Sequence, residues 1–324
     1  MNRLAGGRRE LPARRRVART GLLLSLAAAA LAAPTVLAAC GGSGAPRPDL
    51  LFVSTRSGVN AIYEMNADGS RQRRLTSGGP SDASSPSRLL YETTPAWSPD
   101  GRRIAFASSR YGSSDIFVMD ASGEHVRRLT STRDDDTHPT WSPDGRRIAF
   151  VRGGHGAIFV MNADGSHVRR LTGDTARQDD PAWSPDGRWI AYARNTPLTT
   201  STEIWLVHPD GADAHALTSL NAATTWPAWS PDSREIAFSS AVGELRYSIY
   251  VVRVGTRKAR RLTRSNDDEF EPAWSPDGRR IAFVRDGSIV TVAADGSDER
   301  VLTDPKDNDS SPAWNPRLPA AATK

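Results

Sequence analysis

The chain has 324 residues, with 42 Lys+Arg against 37 Asp+Glu and a single cysteine. The excess of base is confined to residues 1–39, where seven arginines face Glu10 alone; residues 40–324 hold 35 basic and 36 acidic side chains and are close to neutral. A neutral body excludes nucleic acid as a partner, and a lone cysteine excludes both a disulfide scaffold and a cysteine-rich zinc site.

Residues 1–20 are polar and arginine-rich, and residues 21–39 are apolar and uncharged. A positive head, an apolar middle and small residues at the end are the order of a secretory signal. The 19-residue apolar run is long enough to span a bilayer as a helix, but Pro34 interrupts it. The tetrapeptide Leu37-Ala38-Ala39-Cys40 resembles the lipobox of bacterial lipoproteins. That resemblance implies cleavage before Cys40, lipid on its thiol, and a body exported and anchored to the cell envelope. The anchor would lie on the periplasmic face of the outer membrane in a diderm cell, or on the outer face of the cell membrane in a monoderm. Arg14-Arg15-Arg16 is compatible with twin-arginine export as well as the general route. Residues 40–49 follow as a lipidated tether, made flexible by glycine and serine and kept irregular by two prolines.

From residue 50 onward the sequence repeats. Tryptophan followed by Ser-Pro-Asp recurs at Trp97, Trp141, Trp183, Trp229 and Trp274, and Trp314 stands in a decayed copy; the spacings are 44, 42, 46, 45 and 40 residues. One unit reads PTWSPDGRRIAFVRGGHGAIFVMNADGSHVRRLT (139–172). Its first strand carries Pro-x-Trp, and Ser-Pro-Asp-Gly supplies a turn in which Pro presets φ and Gly accepts a positive φ. A second strand, RIAF, and a third, IFVM, are joined by a variable loop. Asn-Ala-Asp-Gly then turns the chain into a fourth strand ending in Arg-Leu-Thr. Four short strands every 40–46 residues predict an all-β fold, a propeller of four-stranded blades.

Third strands begin near Ile62, Ile116, Ile158, Ile204, Ile249 and Ile289, so six blades are expected over residues 50–316. The segment DLLFVST (49–55) opens on a second strand, and SPAWNP (311–316) closes on a first strand with nothing after it. Joining the two completes the sixth blade and removes two sheet edges. Residues 317–324 are expected to be a disordered tail.

The PAWSPDG and NADG-x-x-x-RRLT elements closely resemble the propeller repeats of the TolB family, a WD40-like group, across about residues 50–316. The resemblance implies a non-catalytic, monomeric scaffold that binds an envelope protein or peptide. TolB itself carries an additional α/β domain before its propeller, whereas only the tether precedes the first strand here.

One tryptophan per blade at a fixed place predicts packing between blades, and the recurring Arg-Arg pairs predict solvated strand surface. Function is sought in departures from the repeat, on the rim that carries the variable loops rather than the tight turns. The first inter-blade linker has twenty residues (77–96) where the others have ten, and its Leu89, Leu90 and Tyr91 are candidates for a partner-binding loop. Four of the other linkers are acidic just before Pro-x-Trp: DDDTH (134–138), RQDD (177–180), NDDEFE (266–271) and DNDSS (307–311). Three positions before each Trp stand Thr94, His138, Asp180, Trp226, Glu271 and Ser311; five positions before stand Glu92, Asp136, Gln178, Thr224, Glu269 and Asp309. Both sets are expected at the mouth of the central channel, where converging carboxylates would accept a basic segment or a calcium ion. Trp226 there would offer a stacking surface. The candidate rim residues are therefore Glu92, Asp136, His138, Asp180, Trp226, Glu269, Glu271 and Asp309. No cofactor is expected apart from that calcium.

No G-x-S-x-G elbow, H-E-x-x-H helix or P-loop occurs, so an enzyme is not expected. The alternative is an exported polysaccharide-binding or lyase-like propeller with a metal on its rim.

Overall fold

The computed structural model describes residues 48–76, 91–173, 175–196, 201–243 and 245–317. They form six four-stranded antiparallel sheets. Numbered along the chain, blade 2 comprises Glu92–Trp97, Arg103–Tyr111, Ser113–Asp120 and Arg127–Arg128, with strand one innermost. Blades 3 to 6 begin at Asp136–Trp141, Gln178–Trp183, Thr224–Trp229 and Glu269–Trp274 and repeat this order. Blade 1 takes its second to fourth strands from Leu50–Ser54, Ala61–Met65 and Arg73–Arg74, and its first from Ser310–Trp314 at the other end of the sequence. Leu50 pairs with Trp314 and Leu51 with Ala313, as the split repeat predicts. Each first strand touches the next around a closed ring, the last step running from Ser310–Trp314 to Glu92–Trp97.

The core lies between blades rather than within one centre. Because every blade is covered on both faces, its middle strands read as continuous apolar runs, and alternate residues serve opposite neighbours. Leu50, Phe52, Tyr63 and Met65 pack with Ala282, Val284 and Ile289 of blade 6. Leu51 and Ile62 pack instead with Ile104, Phe106, Phe117 and Trp97 of blade 2. The tryptophans are inter-blade members, as expected. Trp141 Nε1 donates to the Ala96 carbonyl at 3.2 Å, Trp229 to Ala182 at 3.0 Å and Trp314 to Ala273 at 3.1 Å.

The arginine pairs do more than cover a solvated surface. Arg103 stacks on Trp141 and Arg147 on Trp183, at 4.6 and 4.9 Å from the ring centres. On the outermost strands, Arg127 and Arg260 donate to the turn carbonyls of Asp164 and Ala294 in the following blade. Their long stems lie along apolar surface while the guanidinium groups clip neighbouring blades together.

The tight turns repeat one hydrogen-bond pattern. In blade 3, Ser142 donates its hydroxyl to Asp144, which also accepts the Arg146 N–H, and Gly145 holds φ at +68°. These turns and the Asn-Ala-Asp-Gly turns occupy one rim. The opposite rim carries the loops that differ from blade to blade.

Candidate functional site at the channel mouth

Every first strand carries a bulge. Pairing to the second strand slips between Thr93 and Ala96, Thr137 and Thr140, Asp179 and Ala182, Thr225 and Ala228, Phe270 and Ala273, and Ser310 and Ala313. The residue at each slip is left-handed: Thr94, His138, Asp180, Trp226, Glu271 and Ser311 have φ between 50° and 55°. Left-handed backbone costs a non-glycine residue about 1–2 kcal/mol, and a bulge re-aims the side chain it carries. All six residues line one cavity of about 260 Å³ at the channel mouth, with the following prolines packed beside them.

The residues five positions before each Trp do not share that cavity, which corrects the sequence expectation. Glu92, Asp136 and Glu269 are fully buried and Asp309 is nearly so. In a regular strand, residues two apart share a face; the intervening bulge breaks that period and leaves the earlier residue inside the blade. There each acid meets an arginine near the end of the second strand of its own blade. Arg152 grips Asp136 with two bonds of 2.7 and 2.8 Å, Arg285 reaches Glu269 at 2.6 Å, Arg56 reaches Asp309 at 2.9 Å, and Arg110 pairs with Glu92. Asp309 also borders a second cavity, described below. These four acids belong to the scaffold of the ring.

The mouth itself departs from six-fold repetition on one side. Asp180 accepts the Trp226 N–H at 3.2 Å, and Glu271 accepts the Ser311 N–H, so each acid caps the left-handed backbone of the next blade. His138 stands between two carboxylates, its Nδ1 3.4 Å from Asp179 and its Nε2 3.4 Å from Asp180. Burial pushes the Asp180 carboxyl up to about 7, opposed by His138 and reinforced by Asp179. Burial likewise raises Glu271 above the usual carboxylate range, opposed by the Ser311 N–H and His138.

Trp226 anchors an aromatic group that sequence reading had not assembled. Its ring lies 5.3 Å from Phe270 and 6.5 Å from Tyr247, and those two lie 5.0 Å apart. Phe270 is the one aromatic residue four positions before a repeat tryptophan, a signal available in the alignment of the repeats. Beside this group a cavity of about 450 Å³ runs outward, lined by Arg246 and by Asp267, Asp268, Glu271, Asp286 and Asp309. Leu245 on the adjoining loop is fully exposed. Tyr91 is half exposed and bridges Asn60, whereas Leu89, Leu90 and Cys40 lie outside the described residues. His125 and His167 sit at tight turns on the opposite rim, away from the mouth.

The raised carboxyl of Glu271 makes a sign-specific prediction. Its folded-state value lies above that of the unfolded chain, so stability is full at low pH and falls as pH rises from the ordinary glutamate range through the raised value. Glu271→Gln keeps an acceptor for Ser311 and has no charge facing Asp180. Its melting temperature is expected to match wild type near pH 4 and exceed it at pH 8, in chelator-treated protein. A variant less stable than wild type at pH 8 would refute the burial argument.

Comparison with known proteins agrees with this architecture. The sequence profile of the family described as TolB beta propeller domain matches residues 89–219 and 180–318. The chain belongs to that family. A curated relative, the Tol-Pal system protein TolB of Syntrophus aciditrophicus, is 49% identical over 49 residues, covering 15% of this chain and 10% of that protein. The crystal structure of TolB from Acinetobacter baumannii superposes with a TM-score of 0.69 at 19% identity, over 83% of this chain and 66% of that one. A putative TolB from Agrobacterium tumefaciens gives 0.61 at 20% identity, over 82% and 97%. The chain thus spans a tenth of its curated relative and just under two thirds of the Acinetobacter protein, and at these identities the two structures speak for the fold.

Proposed function

We propose that this TolB-family propeller is an exported, lipid-anchored scaffold that holds an extended basic segment of another envelope protein across its channel mouth, without chemistry on it. The observation that carries the reading is the convergence of departures from the repeat. Trp226, Phe270 and Tyr247 gather on one side of the mouth, and the groove beside them carries Asp267, Asp268, Glu271 and Asp286 against Arg246. A lysine or arginine from a partner gains there both aromatic faces and opposite charge. The rigid ring means that little conformational freedom is lost on binding. Support for the envelope setting comes from the leader-like residues 1–39 before Cys40 and from the kinship with a Tol-Pal system protein. The long linker 77–96, with Leu89, Leu90 and Tyr91, is proposed as a second contact. The polysaccharide reading gains nothing from the family match.

The test uses the full lipidated chain in intact cells, with a photo-crosslinker at the exposed Leu245. One dominant envelope protein is expected, joined through a segment that contains Lys or Arg. Trp226→Ala should cut its yield by about 30-fold, the loss of a hot-spot residue, while the melting temperature of the propeller shifts little. Deleting 80–90 should reduce the yield further. Equal yield from Trp226→Ala, or retention of cell-wall sugar in place of protein, would overturn the proposal.

A further inference from the structure

Departures from the repeat also converge at the junction of blades 3 and 4. Among the six residues at the bulges, His138 is the only one that offers a nitrogen ligand. Among the residues four positions before each tryptophan (Thr93, Thr137, Asp179, Thr225, Phe270 and Ser310), Asp179 is the only acid. With Asp180 it meets His138 across the blade boundary, from 41 residues away in the chain. We propose that His138, Asp179 and Asp180 form a site for one divalent transition-metal ion of the zinc class.

The donor geometry suits such an ion. The three side chains each offer a ligand atom, and all three atoms lie within 4.8 Å of one another. His138 Nε2 and Asp180 Oδ1 are 3.4 Å apart. Two ligands at about 2.0–2.1 Å from one tetrahedral zinc stand about 3.3–3.4 Å apart, so this pair is already spaced to share an ion. Both residues sit on left-handed bulges of paired strands rather than on free loops, which fixes the backbone that presents them.

Neighbouring groups orient the donors. The Trp226 N–H occupies Asp180 Oδ2 and leaves Oδ1 toward His138. Thr137 Oγ1 lies 3.1 Å from His138 Nδ1 and holds the ring with Nε2 toward Asp180. Asp179 is more heavily engaged: its Oδ1 stands 3.4 Å from His138 Nδ1, the ring nitrogen turned away from Asp180, and accepts its neighbour's N–H at 3.1 Å, while Oδ2 accepts from Arg177 at 3.2 Å. It is therefore the weakest of the three ligands. Two carboxylates and a neutral imidazole balance the charge of a dication.

The same donors disfavour calcium, which takes about 6–8 oxygen ligands and no imidazole nitrogen. Of the other rim acids, Glu92, Asp136 and Glu269 are buried within the blades against arginines, and Glu271 is already engaged by the Ser311 N–H.

Chelator-treated full-length protein is titrated with zinc, calcium and magnesium by calorimetry, and cobalt(II) is added as a spectroscopic probe. One equivalent of zinc is expected, with calcium at least 100-fold weaker, and cobalt should show the intense visible bands of four-coordinate nitrogen–oxygen ligation. His138→Ala and Asp180→Asn should each weaken zinc by at least 30-fold, and Asp179→Asn by about 10-fold. Circular dichroism checks that each variant is folded. His215→Ala serves as the control, because His208 and His215 flank Trp189 on the opposite rim. Absence of stoichiometric zinc, calcium bound as tightly as zinc, or affinity that falls with His215→Ala and not with His138→Ala would each overturn the assignment.

Discussion

Deleting residues 310–317 is expected to abolish the cooperative thermal transition of the propeller and send the protein into aggregates. The deletion removes Ser310–Trp314, the innermost strand of blade 1, and exposes the full edge of Leu50–Ser54. An unpaired edge of apolar residues is a template for pairing with another chain. It also opens the ring between blades 1 and 6, because Trp314 packs with Leu50, Phe52, Tyr63 and Met65 and donates to Ala273. The single substitution Trp314→Ala should cost about 3–5 kcal/mol, the range for removing a large buried aromatic ring. Trp314→Phe should cost less, since it keeps most of the apolar contact and loses one hydrogen bond worth about 1 kcal/mol. A synthetic peptide of residues 304–317 added during refolding should restore the transition of the deleted protein, because strand addition needs only main-chain pairing and two side-chain pockets. A deletion variant that melts cooperatively at the wild-type temperature would show that the ring does not depend on this closure.

The blades were legible because their signals are local. Trp-Ser-Pro-Asp-Gly names a strand end and a turn in five residues, and Asn-Ala-Asp-Gly names the next turn, so counting them counts strands. Even the shared blade could be read, from a second strand at DLLFVST with no first strand before it. The site was legible only in part. The ring of Thr94, His138, Asp180, Trp226, Glu271 and Ser311 follows from the repeat, but the bulge that aims it does not. A strand of period two places Glu269 and Glu271 on one face, and only the register slip between Phe270 and Ala273 separates them. Contacts between blades were hidden for another reason. Tyr247 meets Phe270, and Asp179 meets His138, across boundaries that no single unit contains. The arginine pairs look like surface in sequence, yet their reach to the next blade depends on how adjacent sheets are set.

Glu269 and Glu271 therefore offer a test of scaffold against site within one strand. Glu271 faces the mouth, and its replacement by Gln is expected to stabilise the chain at alkaline pH. Glu269→Ala should do the reverse, lowering stability by about 3 kcal/mol at neutral pH, the low end for breaking a buried ion pair. Glu269 is fully buried, accepts Arg285 at 2.6 Å and the Thr263 hydroxyl, and lies 3.3 Å from the Ile249 N–H of blade 5. Losing it strips the guanidinium of its buried partner and leaves Thr263 without its acceptor in the next blade. The cost stays at the low end because Glu299 still holds Arg285 from the exposed side, at 2.5 and 2.7 Å. Glu269→Gln retains acceptor atoms for Thr263 and Arg285 without the charge, and should fall between Ala and wild type in urea unfolding. The two positions should also part in function: Glu269→Gln is expected to leave crosslinking through Leu245 unchanged where the fold is intact, whereas Glu271→Gln removes one of the charges that receive a basic segment. Unfolding curves that showed the opposite order, with Glu269→Ala neutral and Glu271→Gln destabilising, would exchange the roles of the two acids and move the binding surface off the channel mouth.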